Sequence, residues 1–299
     1  MFSGSMVAII TPFKNGRLDE ETLKNLVEFH IKNKTTALVP CGTTGESATL
    51  SLAEHERVIE LVVEIANKKL PVIAGTGSNN TVEAIRLTKH AKEAGADAAL
   101  LICPYYNKPT QKGLYLHFKQ IAESVDIPMV LYNIASRTAV NMEPETIARL
   151  AHEFKNIVGV KEASGNLEQM SRIKLLCPDN FALISGDDAL TLPVLSIGGI
   201  GVISVVANIV PADVAKLVDE FEKGDIKKAQ SIHYKLLPLI RAMFLETNPA
   251  CIKTAMEMMG MCEPGLRLPL APMDQDNIKK LEKALRDYGL LKRKKKKDD

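Results

Sequence analysis

Residues 157–176 read IVGVKEASGNLEQMSRIKLL. Residues 157–161 form a short apolar, β-branched run that predicts a buried strand, and residues 166–176 have the pattern of a helix. One strand followed by one helix is the unit from which parallel sheets with helical crossovers are built. The strand ends on Lys161, with small and polar residues directly behind it, and this ending needs an explanation.

The same strand–helix unit recurs about eight times along the chain. Strands are predicted at 7–10, 37–39, 71–74, 98–102, 128–132, 157–161, 181–185 and 201–205. Helices are predicted at 19–33, 51–68, 81–94, 112–124, 144–151, 166–176, 187–197 and 211–222. Eight such units favour an α/β fold of the (β/α)₈ TIM-barrel type, although an open doubly wound sheet is the alternative.

After Gly224 the pattern becomes purely helical, which predicts a C-terminal helical extension. Helices are predicted there at 226–246, 250–259 and 277–288. The sequence therefore divides into a catalytic barrel at 1–223, a helical bundle packed on it at 224–291, and a disordered lysine-rich tail at 292–299. No Pro/Gly/Ser-rich linker precedes the bundle.

Composition and charge narrow the class of protein. The chain has 299 residues, 46% hydrophobic and 25% charged, as expected of a globular enzyme. The net charge of +2 comes from the tail, since residues 292–299 carry six basic and two acidic residues and the remainder carries 32 and 34. A short basic run is usually a solvated end, so we expect no nucleic-acid or membrane partner. The N-terminal residues lack the features of a signal peptide, which favours a cytoplasmic location.

Cysteine and histidine patterns argue against disulfides and metal. The five cysteines, Cys41, Cys103, Cys177, Cys251 and Cys262, include no C-x-x-C pair. We interpret them as buried thiols. The six histidines fall mostly inside predicted helices, without metal-ligand spacing. We therefore predict no metal site and no cofactor.

The active site of a TIM barrel lies at the C-terminal ends of its strands. In this sequence those positions carry hydroxyl groups, phenols, one arginine and one lysine. They are Cys41–Ser47, Gly75–Asn79, Pro104–Asn107, Tyr132 and Asn133 with Arg137 and Thr138, Lys161, and Gly186–Asp188. We expect these side chains to meet at one mouth of the barrel.

Lys161 has two readings from the residues alone. Burial against apolar surface lowers the pKa of an amine, and the neutral amine can attack a carbonyl to form a Schiff base. Tyr132 could then shuttle protons. Alternatively, Lys161 reaches the rim of the barrel or pairs with a carboxylate. The surrounding hydroxyl groups favour the catalytic reading.

Four motifs resemble a known family over residues 1–291. They are Gly42-Thr43-Thr44-Gly45-Glu46, Tyr132-Asn133 with Arg137-Thr138, Gly159-Val160-Lys161-Glu162-Ala163, and Gly201-Val202-Ile203-Ser204. The chain resembles the 4-hydroxy-tetrahydrodipicolinate synthase (dihydrodipicolinate synthase) family of the pyruvate-dependent class I aldolases, the N-acetylneuraminate lyase superfamily. This resemblance implies a lyase in the diaminopimelate route to L-lysine that condenses pyruvate with L-aspartate 4-semialdehyde.

The resemblance also implies roles for individual residues. Lys161 would form the Schiff base with pyruvate. Thr43, Tyr132 and Tyr106 would relay protons, with Tyr106 donated across a subunit interface of a homotetramer built as a dimer of dimers. The remaining implied substrate-binding residues are Thr44, with the backbone of Thr43, for the pyruvate carboxylate, Arg137 for the carboxylate of the aldehyde, and Gly186 and Ile203.

A site for feedback by L-lysine is implied as well. The family's inhibitor site maps onto Ser47, Ala48, His55, Asn79, Glu83 and Tyr105. Two positions depart from the family. Leu52 stands where lysine-sensitive members often have histidine, which predicts weak or partial inhibition. Ala135 stands where the family usually has proline, which predicts a looser loop around Arg137.

Two other functions are alternatives. A sibling aldolase, such as N-acetylneuraminate lyase or a 2-keto-3-deoxy-sugar-acid aldolase, would keep Lys161 and Tyr132. Such enzymes typically lack an arginine at the position of Arg137, so the synthase is favoured. A barrel without catalysis, which binds a metabolite or a partner, is disfavoured because every residue of the implied proton relay is present.

Overall fold

The computed structural model describes residues 2–292. The lysine-rich tail predicted at 292–299 lies outside the described residues, apart from Lys292.

Strands and helices alternate through the first three quarters of the chain, and helices alone follow. The strands are β1 (Gly4–Val7), β2 (Phe13–Lys14), β3 (Arg17–Leu18), β4 (Ala37–Leu38), β5 (Ile73–Gly75), β6 (Ala98–Ile102), β7 (Met129–Asn133), β8 (Ile157–Glu162), β9 (Ala182–Ser185) and β10 (Gly201–Ser204). The helices are α1 (Glu20–Lys32), α2 (Leu52–Ala66), α3 (Thr81–Glu93), α4 (Gln111–Ser124), α5 (Ala135–Thr138), α6 (Pro144–Glu153), α7 (Leu167–Leu176), α8 (Thr191–Ser196), α9 (Pro211–Glu222), α10 (Ile226–Ala242), α11 (Ala250–Met258) and α12 (Gln275–Tyr288). Short 3₁₀ helices lie at Ser47–Thr49, Asp188–Leu190 and Val206–Asn208.

Eight parallel strands form one sheet, in the order β4-β1-β10-β9-β8-β7-β6-β5. The two edge strands meet through a parallel bridge between Leu38 and Val72. The Leu38 N–H donates to Pro71 O, and the Gly75 N–H donates to Pro40 O, each at 2.9 Å. The sheet therefore closes on itself, and the predicted (β/α)₈ barrel with a C-terminal helical extension is confirmed.

Inside the barrel, side chains from neighbouring strands form layers. The register places Tyr132 of β7 beside Lys161 of β8, and Lys161 beside Ile184 of β9. These side chains belong to or border an interior cluster that also contains Met6 and Leu100. Lys161 thus lies inside the barrel, between apolar side chains of the two neighbouring strands.

The first strand lies three residues earlier than predicted, at Gly4–Val7 instead of 7–10. The polar residue Ser5 is 1% exposed inside this strand, whereas the apolar run from Ala8 to Ile10 continues beyond its end. A hairpin of β2 and β3, which was not predicted, follows directly. Its two-residue loop is Asn15-Gly16, both with positive φ, and this dipeptide is a strong hairpin signal.

The helical extension packs onto the barrel through a shared hydrophobic core. Leu239 of α10, Met256 of α11 and Leu285 of α12 lie in the same buried cluster as Ile9 and Val58. Helix α10 ends at Ala242, earlier than the predicted 246, and the chain then turns back toward the barrel mouth before α11 begins.

Local signals set several helix starts as expected. The predicted capping box at the start of α2 is present, since the Ser51 side chain accepts from the Glu54 N–H and the Glu54 carboxylate accepts from the Ser51 N–H. Pro144 occupies the first turn of α6.

None of the helices between residues 2 and 292 has the length and apolarity needed to cross a membrane.

Three buried histidines have lowered pKa values, so we expect the folded state to become less stable as the pH falls. Burial lowers the pKa of His30 to about 3, and those of His55 and His117 to about 4. In the unfolded chain each titrates near ~6.5, so between about pH 6.5 and 4 the unfolded state binds more protons and stability falls as pH falls. We expect the free energy of unfolding to drop by up to ~1.4 kcal/mol per histidine per pH unit in this window.

Urea unfolding at pH 7, 6 and 5 measures this slope. The variant His117→Gln should lower the slope by about one proton. A free energy of unfolding that stays flat from pH 7 to pH 5 would contradict the assignment.

Candidate active site

The C-terminal ends of the barrel strands bring most of the predicted site residues to one mouth. Thr43 and Thr44 lie in the loop after β4, Tyr132 and Lys161 lie near the ends of β7 and β8, Gly186 follows β9, and Ile203 lies in β10. Arg137 lies in α5, one turn beyond β7, with its side chain exposed. Tyr106 lies in the loop after β6 and is 91% exposed.

Lys161 is a buried residue whose amine has no carboxylate partner among residues 2–292. Lys161 is only 6% exposed, and its Nζ lies 4.2 Å from the centroid of the Tyr132 ring. Among residues 2–292, no carboxylate lies within 4 Å of this Nζ, and no hydrogen-bond acceptor engages it. The alternative that Lys161 pairs with a carboxylate therefore does not hold among the described residues.

Glu162, the next residue, points to the other side of the sheet. Its carboxylate is fully buried and accepts hydrogen bonds from the Asn133 side chain at 3.0 Å, the Gln169 side chain at 3.2 Å and the Ser164 N–H at 2.8 Å. Asn133 in turn donates to the Asn141 side chain at 2.8 Å. This network fixes the ends of β7 and β8 from outside the barrel, and it was not predicted, because its members lie in different elements of the chain.

Gly159, two residues before Lys161 in β8, allows the strand to pack closely against β9. A Cβ on Gly159 would lie 2.6 Å from the Cβ of Ala182 on the neighbouring strand. A larger residue would therefore push β8 and β9 apart. The glycine of the G-V-K-E motif is thus needed for close packing of the strands that hold the lysine.

The loop after β4 is held by a buried ion pair. Glu46 adopts a left-handed conformation with φ 53°, and its carboxylate lies 2.6 Å from Nζ of Lys253 in α11. Lys253 is 1% exposed and also donates to Thr11 O at 2.9 Å. Burial lowers the pKa of Lys253, and Glu46 opposes that shift. The Glu46 carboxylate also accepts from the Arg267 N–H at 3.1 Å.

This pair joins parts of the chain that are far apart in sequence. The ring of Phe13, in the β2–β3 hairpin, lies 4.4 Å from Lys253 Nζ and 4.1 Å from the Arg267 guanidinium carbon. The Arg267 side chain also binds the Glu54 carboxylate and so reaches the start of α2. Sequence reasoning missed Lys253, since it lies inside a predicted helix with no local pattern that marks it.

Arg137 is positioned by a one-turn helix. The Arg137 and Thr138 N–H groups both donate to Ile134 O at 3.0 Å, and Ala139 N–H donates to Ala135 O at 2.9 Å. Ala135, which replaces the family's proline, is the first residue of α5, a position that proline tolerates well. The guanidinium of Arg137 donates to the main-chain oxygen of Asn248 at 3.3 Å.

A cavity of about 440 Å³ opens between the strand ends and the extension. Its lining includes Thr43, Tyr132, Arg137 and Asn248 from the predicted active site and its surroundings. It also includes Ser47, Ala48, His55, Glu83 and Tyr105 from the predicted lysine site, together with Leu52. Residues of both predicted sites therefore face one continuous space in the single chain, but Lys161, Thr44 and Asn79 are not among those that line it.

The residues of the predicted lysine site are connected to one another. Ser78 donates to the Glu83 carboxylate, and the Asn79 side chain donates to Tyr105 O at 3.2 Å. Burial, and to a lesser degree Glu83, raises the pKa of Tyr105. His55 is 4% exposed and neutral at pH 7, since burial lowers its pKa to about 4.

Within residues 2–292, no group of three or more His, Cys, Asp or Glu side chains is arranged to hold a metal ion. The five cysteines are unpaired thiols, of which four are buried as predicted, whereas Cys262 is only partly buried. Asp188, which follows the seventh predicted strand, is buried and accepts from the N–H groups of Val205 and Val206 at 2.9 and 3.2 Å. Burial raises its pKa, and its contacts brace the turn after β10.

The sequence model of the Dihydrodipicolinate synthetase family matches residues 1–288. The chain belongs to this family. The resemblance seen in the four motifs is therefore confirmed, and it extends over nearly the whole barrel and its helical extension.

Relatives and solved structures agree with this membership. A 4-hydroxy-tetrahydrodipicolinate synthase from Endomicrobium trichonymphae is 61% identical over 98% of this chain and all of its own. The crystal structure of dihydrodipicolinate synthase from Aquifex aeolicus is 52% identical, with a TM-score of 0.96 over 97% of this chain and 99% of its own.

Two further solved members of the family hold small molecules. The chloride-inhibited enzyme from Acinetobacter baumannii, complexed with pyruvate, is 44% identical, with a TM-score of 0.95 over 97% of this chain and all of its own. The enzyme from Cyanidioschyzon merolae, with lysine bound, is 41% identical, with a TM-score of 0.94 over 97% of this chain and 99% of its own.

The buried pair of Glu46 and Lys253 yields a stability prediction. Lys253→Met leaves the Glu46 carboxylate buried without its cation, so we expect a loss of about 3–5 kcal/mol in the free energy of unfolding. The double variant Glu46→Gln/Lys253→Met removes both charges and should recover most of this loss. Urea unfolding measures both.

The control is Lys279→Met, which breaks an exposed pair with Asp276 whose side chains are 74% and 85% exposed. It should change stability by less than about 0.5 kcal/mol. A loss for Lys253→Met no larger than that of the control would show that the pair does not hold the loop.

Proposed function

We propose that this protein is a 4-hydroxy-tetrahydrodipicolinate synthase that condenses pyruvate with L-aspartate 4-semialdehyde through a Schiff base on Lys161. The observation that carries the proposal is the buried Lys161 side chain, whose amine lies beside the Tyr132 ring without a carboxylate partner, in a barrel of this family. Close relatives bear the name of this enzyme, and one solved relative is complexed with pyruvate. The reaction belongs to the diaminopimelate route to L-lysine, in the cytoplasm.

The chemistry begins with attack of the Lys161 nitrogen on the keto carbon of pyruvate. Water leaves as the C=N bond forms, and loss of a proton from the methyl carbon gives an enamine. The enamine carbon bonds to the aldehyde carbon of the semialdehyde, whose oxygen takes up a proton, and the C=N bond to Lys161 forms again. The amino group of the adduct then attacks the imine carbon, and the ring closes as Lys161 leaves. No cofactor or metal is needed for these steps.

Hydroxyl groups at the barrel mouth are suited to the proton transfers. Tyr132 and Thr43 line the same cavity, and the Tyr132 ring lies against the Lys161 amine. Tyr106, exposed and held at φ 71°, is proposed to complete the relay in a neighbouring subunit. This role requires at least a dimer, and we propose the homotetramer, a dimer of dimers.

Recognition of two carboxylates explains the remaining site residues. We assign the pyruvate carboxylate to the backbone N–H groups of Thr43 and Thr44, and the carboxylate of the semialdehyde to the Arg137 guanidinium, whose fork matches a carboxylate. Gly186 and Ile203 contribute backbone beside the Schiff base. The Gly186 N–H already donates to Glu162 O at 2.8 Å, so we assign the contact with substrate to its carbonyl and not to its N–H.

Arg137 separates the synthase from its sibling aldolases. An exposed arginine at the mouth suits an acceptor with a carboxylate close to the aldehyde, whereas sugar acceptors present hydroxyl groups. The alternative functions, N-acetylneuraminate lyase or a 2-keto-3-deoxy-sugar-acid aldolase, keep Lys161 and Tyr132 and give Arg137 no role.

A side-by-side assay tests this assignment. Pyruvate consumption is followed with aspartate semialdehyde and, separately, with N-acetylmannosamine. We expect turnover with the semialdehyde only. Arg137→Ala should lower kcat/KM for the semialdehyde by about 10²- to 10³-fold, since it removes one partner of a charge pair, while pyruvate still forms the Schiff base.

The matched control is Arg172→Ala, which breaks a surface contact with Glu145 and should leave kcat/KM unchanged. Turnover with the sugar but not with the semialdehyde would overturn the reading of Arg137 and replace the synthase by a sibling aldolase.

We further propose feedback by L-lysine at Ser47, Ala48, His55, Asn79, Glu83 and Tyr105. A solved relative has lysine bound, and the Glu83 carboxylate and the Asn79 and Tyr105 side chains could bind an amino acid of this kind. Leu52, which lines the same cavity, offers no polar group to the inhibitor.

Lysine inhibition should accordingly be weak or partial. Leu52→His restores a hydrogen-bonding side chain and should lower the inhibitory lysine concentration about tenfold, as expected for one hydrogen bond to a charged group. Initial rates over a lysine titration measure both proteins. Full inhibition of the unmodified protein at low micromolar lysine would contradict the role given to Leu52.

A further inference from the structure

A short segment of the helical extension returns to the barrel mouth between α10 and α11. Its residue Asn248 is 5% exposed and lines the 440 Å³ cavity. No strand-end pattern marks this residue, because it lies more than forty residues beyond the last barrel strand. It nevertheless contacts two of the residues assigned above to substrate carboxylates.

The first contact is made by the side chain. Asn248 Nδ2 donates to Thr44 Oγ1 at 3.0 Å, and Thr44 is itself 2% exposed. A threonine hydroxyl bound in this way cannot rotate freely, and its main chain is held with it. The Thr44 N–H is one of the two groups proposed to bind the pyruvate carboxylate, so its direction depends on this hydrogen bond.

The second contact is made by the main chain. Asn248 O accepts from Nη2 of Arg137 at 3.3 Å. One residue therefore contacts the loop that binds the keto acid and the guanidinium that binds the acceptor. Because the side chain serves one partner and the main chain serves the other, substitution of the side chain separates the two contacts.

The amide of Asn248 is also incompletely satisfied. Its Oδ1 is buried and has no hydrogen-bond partner among the described residues. A threonine hydroxyl can donate or accept, so either orientation of the amide leaves one polar atom without a partner. A buried, unsatisfied polar atom is costly and calls for a functional explanation.

We propose that Asn248 is a positioning residue of the condensation site, which orients Thr44 through its side chain and Arg137 through its main-chain oxygen. The C-terminal extension thereby sets the distance between the two carboxylate-binding groups. This inference rests on the proposed function, since it assumes that Thr44 and Arg137 bind the two substrates.

The test is a double-mutant cycle of Asn248→Ala and Thr44→Val. Asn248→Ala should raise the KM for pyruvate about five- to tenfold, the effect of one buried hydrogen bond, and change the KM for the semialdehyde less than twofold. In the Thr44→Val background, Asn248→Ala should change the pyruvate KM less than twofold, because the two residues act as one unit.

An independent readout uses pyruvate alone. The pyruvate concentration that gives half-maximal inactivation by borohydride should rise by the same factor as the KM. Asn248→Leu, which keeps the volume of the side chain and removes its polar atoms, should behave like Asn248→Ala. Asn277→Ala is the control, since Asn277 makes a comparable hydrogen bond to Glu246 within the extension, and it should change neither KM.

Two outcomes would overturn the inference. Additive effects in the cycle would show that Asn248 does not act through Thr44. Equal increases in both KM values, together with loss of stability, would show a structural role. Both are distinct from failure of the proposed function, in which the unmodified protein would give neither condensation nor a trapped adduct.

Discussion

The alternation of side chains along β8 governs the arrangement of the site. Successive residues of a strand point to opposite faces, so Lys161 enters the barrel while Glu162 leaves it. Glu162 is held outside by Asn133, Gln169 and the Ser164 N–H, and therefore cannot neutralise the lysine. A shift of one residue in register would exchange the two side chains.

Closure of the sheet and packing of the helical extension complete the site around Lys161. Closure through Leu38 and Val72 surrounds the Lys161 side chain with interior residues, so only 6% of this lysine is exposed. The extension then supplies the Lys253 ammonium to Glu46, inside the loop that contains Thr43 and Thr44. The mouth of the barrel is thus shaped by residues more than 200 positions away in the chain.

Local patterns predicted much of the fold, because helix starts and buried strands have short-range causes. The interval 98–102 was predicted as a strand and is β6, and the capping box at Ser51 forms as its sequence suggests. The ends of the predicted strands led correctly to the mouth that contains Tyr132 and Lys161.

The position of the first strand was predicted wrongly. Ser5 is buried by the neighbouring strands of the sheet, and no local sequence pattern indicates this burial. The contacts of Lys253 and Asn248 were missed because they depend on long-range packing. The third strand was predicted to end at residue 74, but it includes Gly75, where a Cβ would meet Cys41 O at 2.2 Å.

The most direct test of the central claim is borohydride reduction in the presence of pyruvate, followed by peptide mass analysis. If Lys161 is the nucleophile, the reduced pyruvate adduct lies on the peptide that contains Lys161, and Lys161→Met abolishes it without unfolding the protein. Lys155→Met, at an exposed position before β8, should leave the adduct intact. An adduct on another lysine, or none on a folded protein, would contradict the account.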